Sequence, residues 1–238
     1  MSMRNTSKMA CLVLAGALGP VAAFAHILWI ETDPQGAPGK PHEARCCFGE
    51  PQEFLREEKG GRLDEMAGMQ LQVADDAGKP CKASLQEEQN CFAGKFQPTR
   101  PGRHSITARQ AECEVKDLTK YGLGVVLPRF YARAFLLAFE PGRVSERLPD
   151  ITDILDLDIL PVTRHLDPPA GSIDPKVGQE VALRVVFKGN PLAGAKLFVN
   201  APNGWQKELH ADSLGVASFV PLWNGTYVVQ VENREKAP

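Results

Sequence analysis

The sequence predicts an all-β protein made of two β-sandwich domains in tandem. Short runs rich in β-branched and aromatic residues alternate with Gly, Pro, Asn and Asp turns, while apolar repeats at helical spacing are scarce. This pattern occurs on both sides of a proline-rich stretch. We therefore expect an N-terminal domain over 26–140, a connector over 141–167 and a C-terminal domain over 168–238.

Residues 1–25 have the pattern of a secretory signal peptide. Two basic residues precede an apolar run at 9–24, and Ala23 and Ala25 occupy the small-residue positions before a cut. Cleavage there would make His26 the first residue of the exported chain. No later apolar run approaches the ~18 residues of a membrane span. We expect a periplasmic or secreted protein without a membrane span after cleavage.

Charge and motifs exclude several function classes. The chain has 27 Lys and Arg against 29 Asp and Glu, a net charge of −2, and loss of the leader makes it more negative. Without a dense basic patch, nucleic acid is not an expected partner. The hydrolase patterns Gly-x-Ser-x-Gly and His-Glu-x-x-His are both missing from the sequence. The sequence therefore does not favour an enzyme.

The predicted strands of the N-terminal domain are short runs bounded by turn residues. The first strand is 26–31, and a Pro/Gly-rich loop at 33–41 leads to the second strand at 43–48. The charged segment 50–68 is expected to hold a short helix near 54–58. Further strands are expected at 69–74, 92–96, 104–109 and 129–139.

The connector and the C-terminal domain continue this pattern. The acidic stretch 150–158 is expected to hold solvated acids beside a linking strand. A calcium site is the less favoured alternative, because the spacing is not that of an EF-hand loop. A glycine, any residue and then a ring side chain open one β-run in each domain, so Tyr227 suits the tyrosine corner of an Ig-like sandwich, and His104 is the corresponding ring. Strands of the C-terminal domain are expected at 180–187, 195–200, 205–210, 217–221 and 226–232.

Five cysteines follow the leader, and export would permit disulfides. Cys81 and Cys91 flank a polar segment, which predicts a bridge between them. The adjacent Cys46 and Cys47 must face opposite sides of a strand, and one of them could pair with Cys113. Because the number is odd, at least one thiol is free or pairs between chains. A free thiol in a soft-metal site is the alternative.

An N-terminal histidine is a candidate metal chelator. Its α-amine and imidazole Nδ1 can close one ring on copper or nickel, which favour nitrogen ligands. The amine has an ordinary pKa of about 7.7–8.0, so a metal can displace its proton at neutral pH. The alternative is that cleavage leaves His26 first with no metal role.

Three further residues are candidates to complete a metal site. His42 opens the second strand, Glu50 follows it with an oxygen ligand, and His104 begins a later strand. Each also has a purely structural interpretation: His42 as a loop histidine, Glu50 as a solvated carboxylate and His104 as a ring packed within the sandwich. No two histidines stand at i, i+2 or i, i+4, so no local motif defines the site.

Five segments carry a family resemblance: 25–30, 47–50, 130–134, 157–161 and 185–195. Together they resemble the DUF4198 family, exported proteins related to the substrate-binding component of nickel/cobalt uptake systems. The turn at 189–195 is also similar to turns of carboxypeptidase-regulatory-like sandwiches. The resemblance implies a periplasmic β protein with transition-metal binding. In the nickel-uptake relatives an early histidine works with the amino terminus; His26 matches it, although here it would be first rather than second.

We therefore expect an exported protein that binds nickel, cobalt or copper in metal uptake or handling, with a membrane metal transporter as a candidate partner. The candidate ligands are His26, His42, Glu50 and His104. A structural or adhesive pair of sandwiches without metal is the alternative. A copper-dependent redox enzyme is a third, less favoured class.

Overall fold

The computed structural model describes residues 26–141, 155–162 and 176–236, and in these ranges the chain is all-β. This confirms the predicted class. The only helices in the described ranges are short 3₁₀ turns, at Pro51–Glu53, Arg62–Met66 and Thr119–Tyr121. The predicted leader and most of the predicted connector lie outside the described residues.

The strands are short, as the spacing of the turn residues predicts. In chain order they are β1 (Ile27–Thr32), β2 (Gln35–Gly36), β3 (His42–Glu50), β4 (Leu55–Arg56), β5 (Met69–Asp75), β6 (Pro80–Cys81), β7 (Ala83–Glu87), β8 (Phe92–Phe96), β9 (Gly102–Gln110), β10 (Lys116–Asp117), β11 (Val125–Val126), β12 (Tyr131–Ala138), β13 (Leu157–Pro161), β14 (Val181–Phe187), β15 (Asn190–Pro191), β16 (Lys196–Asn200), β17 (Gln206–His210), β18 (Val216–Phe219) and β19 (Val228–Val231).

Two sheets share the main hydrophobic core. The first has the order β1-β3-β8-β7, with β4 paired to the end of β3, and the second has the order β2-β12-β9-β5-β6. Alternate residues of each strand face the other sheet. Leu28 and Phe48 of the first sheet thus meet Ile106 and Leu136 of the second in one buried cluster.

The charged segment after β3 differs from its prediction. No helix forms near 54–58; instead Phe54 adopts a left-handed conformation with φ 57°, and the chain returns as β4. Gly49 and Glu50 pair with Arg56 and Leu55 in this short hairpin. The reversal brings the following residues back beside β3, which matters for the candidate site.

The C-terminal part has two smaller sheets around a second cluster. One contains β13-β14-β15 with β18 on β14, and the other has the order β17-β16-β19. Val185, Leu197 and Ala217 are buried together between them. The Tyr227 hydroxyl accepts from the backbone N–H groups of Leu222 and Trp223 and donates to the Trp223 carbonyl, as a tyrosine corner does.

Two observations correct the expected connector. Strand β13 lies inside 141–167 and pairs with β14 along its whole length. Asp158, expected in a solvated acidic stretch, is buried and forms a bidentate ion pair with Arg133 of β12 at 2.7–3.1 Å. Asp156, by contrast, is exposed. The remaining acids of the stretch, at 150–153, lie outside the described residues.

The predicted Cys81–Cys91 disulfide is absent, and all five cysteines in the described ranges are free. Cys81 belongs to the main core, whereas Cys91 packs in a separate cluster with Trp29 and Cys47 on the outer face of the first sheet. The adjacent Cys46 and Cys47 do face opposite sides of β3, as expected. Within the described ranges, no helix is long and apolar enough to cross a membrane.

Candidate metal site at the start of the first strand

His26 lies at the rim of the main core, directly before β1. The β1–β3 register pairs Ile27 with Gly49, so His26 stands opposite Glu50. Residues opposite each other in an antiparallel pair share a face, and this face also carries Phe48. The Nδ1 atom of His26 is 3.3 Å from Oε1 of Glu50, and the imidazole lies 5.4 Å from the Phe48 ring.

Two further charged side chains reach His26 through the segment after β3. The backbone N–H of Glu57 bonds to the Phe48 carbonyl, which aligns Glu57 on the same face, and its carboxylate contacts Nε2 of His26. The 3₁₀ turn Arg62–Met66 buries Leu63 and Met66 in the core. This anchor holds Arg62 with Nη1 2.9 Å from both ring nitrogens of His26.

These contacts restrict the proton positions on the imidazole. A carboxylate only accepts hydrogen bonds, so Nε2 of His26 must donate to Glu57. In the neutral ring, Nδ1 therefore carries the lone pair and accepts from Arg62. In the imidazolium form, both nitrogens donate, to Glu50 and Glu57. Glu57 thus fixes the tautomer that leaves Nδ1 available as a ligand.

The pair formed by Nδ1 of His26 and the Glu50 carboxylate fits two ligands of one ion. Donors bound to one metal at about 2.1 Å are about 3.0–3.4 Å apart at angles from about 90° to tetrahedral. The observed separation is 3.3 Å. The His26 and Glu50 side chains are 12% and 18% exposed, so the pair is partly shielded yet reachable.

The side chains alone do not form a complete metal site. Among the described residues, no group of three or more His, Cys, Asp or Glu is arranged to hold a metal ion. The physical reason is that Glu50 and Glu57 contact different nitrogens of His26 and do not converge on one point. A third donor on the Nδ1 side would be the α-amine of His26, which exists only if the chain is cut after Ala25.

His42 does not reach this cluster. It lies at the opposite end of the nine-residue strand β3 from Glu50. At a rise of about 3.3 Å per residue, their Cα atoms are about 26 Å apart. His42 is instead bonded through Nε2 to the Thr32 hydroxyl and the Asp33 carbonyl, and its ring packs on Phe96. Burial lowers the pKa of His42, and the Asp33 contacts oppose this effect.

His104 is also separate, inside the second sheet. It is fully buried on β9, opposite Asp75 of β5 and Leu136 of β12. Its Nδ1 bonds to the Gly102 carbonyl, while Nε2 has no partner. Burial lowers the pKa of His104 more than the Gly102 carbonyl and nearby Asp75 raise it. These contacts are those of a neutral core histidine.

Of the candidate ligands, the structure therefore brings together only His26 and Glu50. It adds Glu57 and Arg62, which the sequence analysis missed. The sequence feature that could have indicated Glu57 and Arg62 is the charged segment 50–68. The helix predicted near 54–58 would have given these two side chains different positions relative to β1. Only the reversal at Phe54 places them beside β1.

Comparison with known proteins identifies the family of this chain. Among curated proteins, no sequence matches the chain significantly. The family described as "Domain of unknown function (DUF4198)" matches residues 23–235, which include every described strand and the side chains that contact His26. With nearly its full length matched, the chain belongs to the DUF4198 family.

Proposed function

We propose that this is an exported, periplasmic or secreted protein that binds nickel, cobalt or copper through His26 at the mature amino terminus. One observation supports this most directly. Nδ1 of His26 faces the Glu50 carboxylate at 3.3 Å, while Nε2 donates to Glu57. A ligating histidine commonly donates its other N–H to a carboxylate, which orients the ring and raises its basicity.

Each residue of the cluster has a distinct role in this proposal. The α-amine and Nδ1 of His26 chelate the ion, Glu50 supplies an oxygen, and Glu57 orients the ring. Arg62 contacts the same Nδ1, so it would compete with the cation and would have to move away on binding. A role in metal uptake or handling, with a membrane metal transporter as partner, is consistent with such a surface-accessible site.

Calorimetric titration of the chain starting at His26 with Cu(II) and Ni(II) tests the proposal. We expect His26→Ala to remove most of the affinity and one residue added before His26 to weaken binding. Glu57→Ala should weaken it by about 10- to 100-fold, the usual effect of removing an orienting partner. Arg62→Ala should strengthen it, because a competing cation is gone.

His42→Ala is the matched control, since that histidine lies at the far end of β3 and should leave the affinity unchanged. Equal binding by the parent, the His26→Ala variant and the extended chain would exclude the terminal site. Absence of any Cu(II) or Ni(II) binding would instead support a structural or adhesive protein.

We also propose that the all-β fold consists of two β-sandwich domains in tandem, near 26–140 and 168–238. In each part, two larger sheets enclose a buried cluster of that part's own residues. Because β13 pairs with β14, the second domain begins before 168 and includes part of the predicted connector. The ion pair between Arg133 and Asp158 would then join the domains, and its removal is a test of the division.

A further inference from the structure

Two cysteines stand opposite each other where β3 and β8 diverge. The β3–β8 ladder runs antiparallel and ends with Cys46 opposite Phe92. One step further along the same register, Cys47 stands opposite Cys91. Directly opposed residues in an antiparallel pair have Cα atoms about 4.5–5.5 Å apart. This range lies within the 4.4–6.8 Å that a disulfide requires.

The two side chains also share one buried environment. Cys47 and Cys91 are both fully buried in the cluster formed with Trp29 and Ala93, which Val228 of the C-terminal part covers. Cys46, the chain neighbour of Cys47, is equally buried but faces the main core. The alternation of β3 therefore selects Cys47, rather than Cys46, as the partner of Cys91.

A cationic group lies beside this pair. Arg45 stands two residues before Cys47 on the same face, and its Nε is buried without a hydrogen-bond partner. Burial raises the pKa of the Cys91 thiol, and the nearby Arg45 guanidinium opposes this only in part, so the closed cluster favours the neutral thiol. A guanidinium next to a thiol stabilises the thiolate, which is the attacking form in disulfide exchange.

We propose that Cys47 and Cys91 are joined as a disulfide during folding, by exchange with an external disulfide oxidant. The Cys91 thiolate attacks one sulfur of the oxidant and releases its first thiol. The Cys47 thiolate then attacks the Cys91 sulfur of the mixed disulfide and releases the second thiol. Two protein thiols are oxidised, one oxidant disulfide is reduced, and the two protons pass to the released thiols.

Oxidation must precede closure of the cluster, because both thiols are inaccessible in the folded chain. The bridge would hold β3 to β8 on the face opposite His26, so it is independent of the proposed metal site. It also closes a loop that contains β4 to β7 and both of the first two 3₁₀ turns. Constraining such a loop in the unfolded chain stabilises the folded state.

The test is refolding of the full chain from denaturant in a buffer of oxidised and reduced glutathione, followed by peptide mapping without reductant. We expect a linked pair of peptides that contain Cys47 and Cys91. Cys47→Ser and Cys91→Ser should each abolish that pair, and Cys46→Ala should keep it. Treatment with reductant should lower the unfolding temperature of the parent and of Cys46→Ala by about 5–15 °C.

The same treatment should leave the unfolding temperature of Cys47→Ser unchanged, since it has no bridge to lose. If either serine variant fails to fold, mapping of the parent and of Cys46→Ala still decides the question. Recovery of Cys47 and Cys91 as alkylatable thiols from refolded parent, or of Cys91 linked to another cysteine, would overturn the proposal.

Discussion

At the scale of single residues, His104 shows how burial suppresses protonation. Its Nδ1–H is used by the Gly102 carbonyl, and its Nε2 faces no acceptor. A proton on Nε2 would therefore be both buried and unpaired. Because the folded-state pKa lies below the ordinary value of 6.5, the unfolded chain takes up the proton first as the pH falls. Stability is then lost below about pH 6.5.

We predict that acid destabilises the parent between pH 7 and 5.5 with a slope of up to about 1.4 kcal/mol per pH unit from His104. His42, whose pKa burial also lowers, adds to the slope with the same sign. His104→Asn keeps an N–H donor for Gly102 but cannot titrate. It should lower stability at pH 7 and flatten the slope in urea unfolding. A slope identical to the parent's would contradict this account.

At the residue scale, two of the four charged or ionisable side chains of the candidate site could be predicted from the sequence. His26 follows from the cleavage pattern, and Glu50 follows from its place at the end of the second strand. Glu57 and Arg62 could not be chosen from their residue types, because charged side chains are frequent in 50–68. Their positions depend on the left-handed Phe54, a conformation that is uncommon for a non-glycine residue.

At the scale of elements, the β3–β4 hairpin connects the fold to the site. Gly49 has φ 148°, and a Cβ there would lie 2.3 Å from the Leu55 carbonyl oxygen. Real Cβ atoms do not approach backbone this closely, so β4 would have to move. Since β4 carries Glu57 to His26, displacement of the hairpin would also disturb the cluster.

We predict that Gly49→Ala destabilises the protein by more than about 2 kcal/mol and weakens metal binding. The matched control is Gly39→Ala. Gly39 also has a positive φ, 70°, but a Cβ there would meet nothing within 4 Å. The control should show only the strain of its backbone, about 1–2 kcal/mol, with unchanged metal affinity. Similar losses in both variants, by denaturant unfolding and calorimetry, would show that the hairpin contact is unimportant.

Elements with strong local patterns were predictable, and those set by distant contacts were not. The alternating runs gave β3, β9 and β14 close to their true bounds. Strand β13 was placed in a connector because prolines and aspartates are frequent around it. It is a strand because it pairs with β14. A local sequence pattern does not reveal such a long-range interaction.

At the scale of the whole molecule, the two parts meet at buried contacts that no local sequence pattern predicts. Val228 of the C-terminal part covers the Trp29 cluster of the N-terminal part. Arg133 and Asp158, 3% and 1% exposed, form the ion pair that joins β12 to β13. The Asp158 carboxylate also accepts the backbone N–H groups of Leu155 and Ile159. The pair is thus embedded in both parts.

Removing one side chain of this pair should weaken the contact between the two parts more than it weakens the core of either part. Asp158→Asn removes the carboxylate charge from a pair whose side chains are both buried, and breaking a buried ion pair costs about 3–5 kcal/mol. If the two parts are separate domains, calorimetric unfolding should change from one transition to two, since each part keeps its own core. Glu235→Gln is the control, because its ion pair with Lys188 is exposed on both sides and should matter little. A single transition, merely shifted to lower temperature, would argue that the two parts fold as one unit.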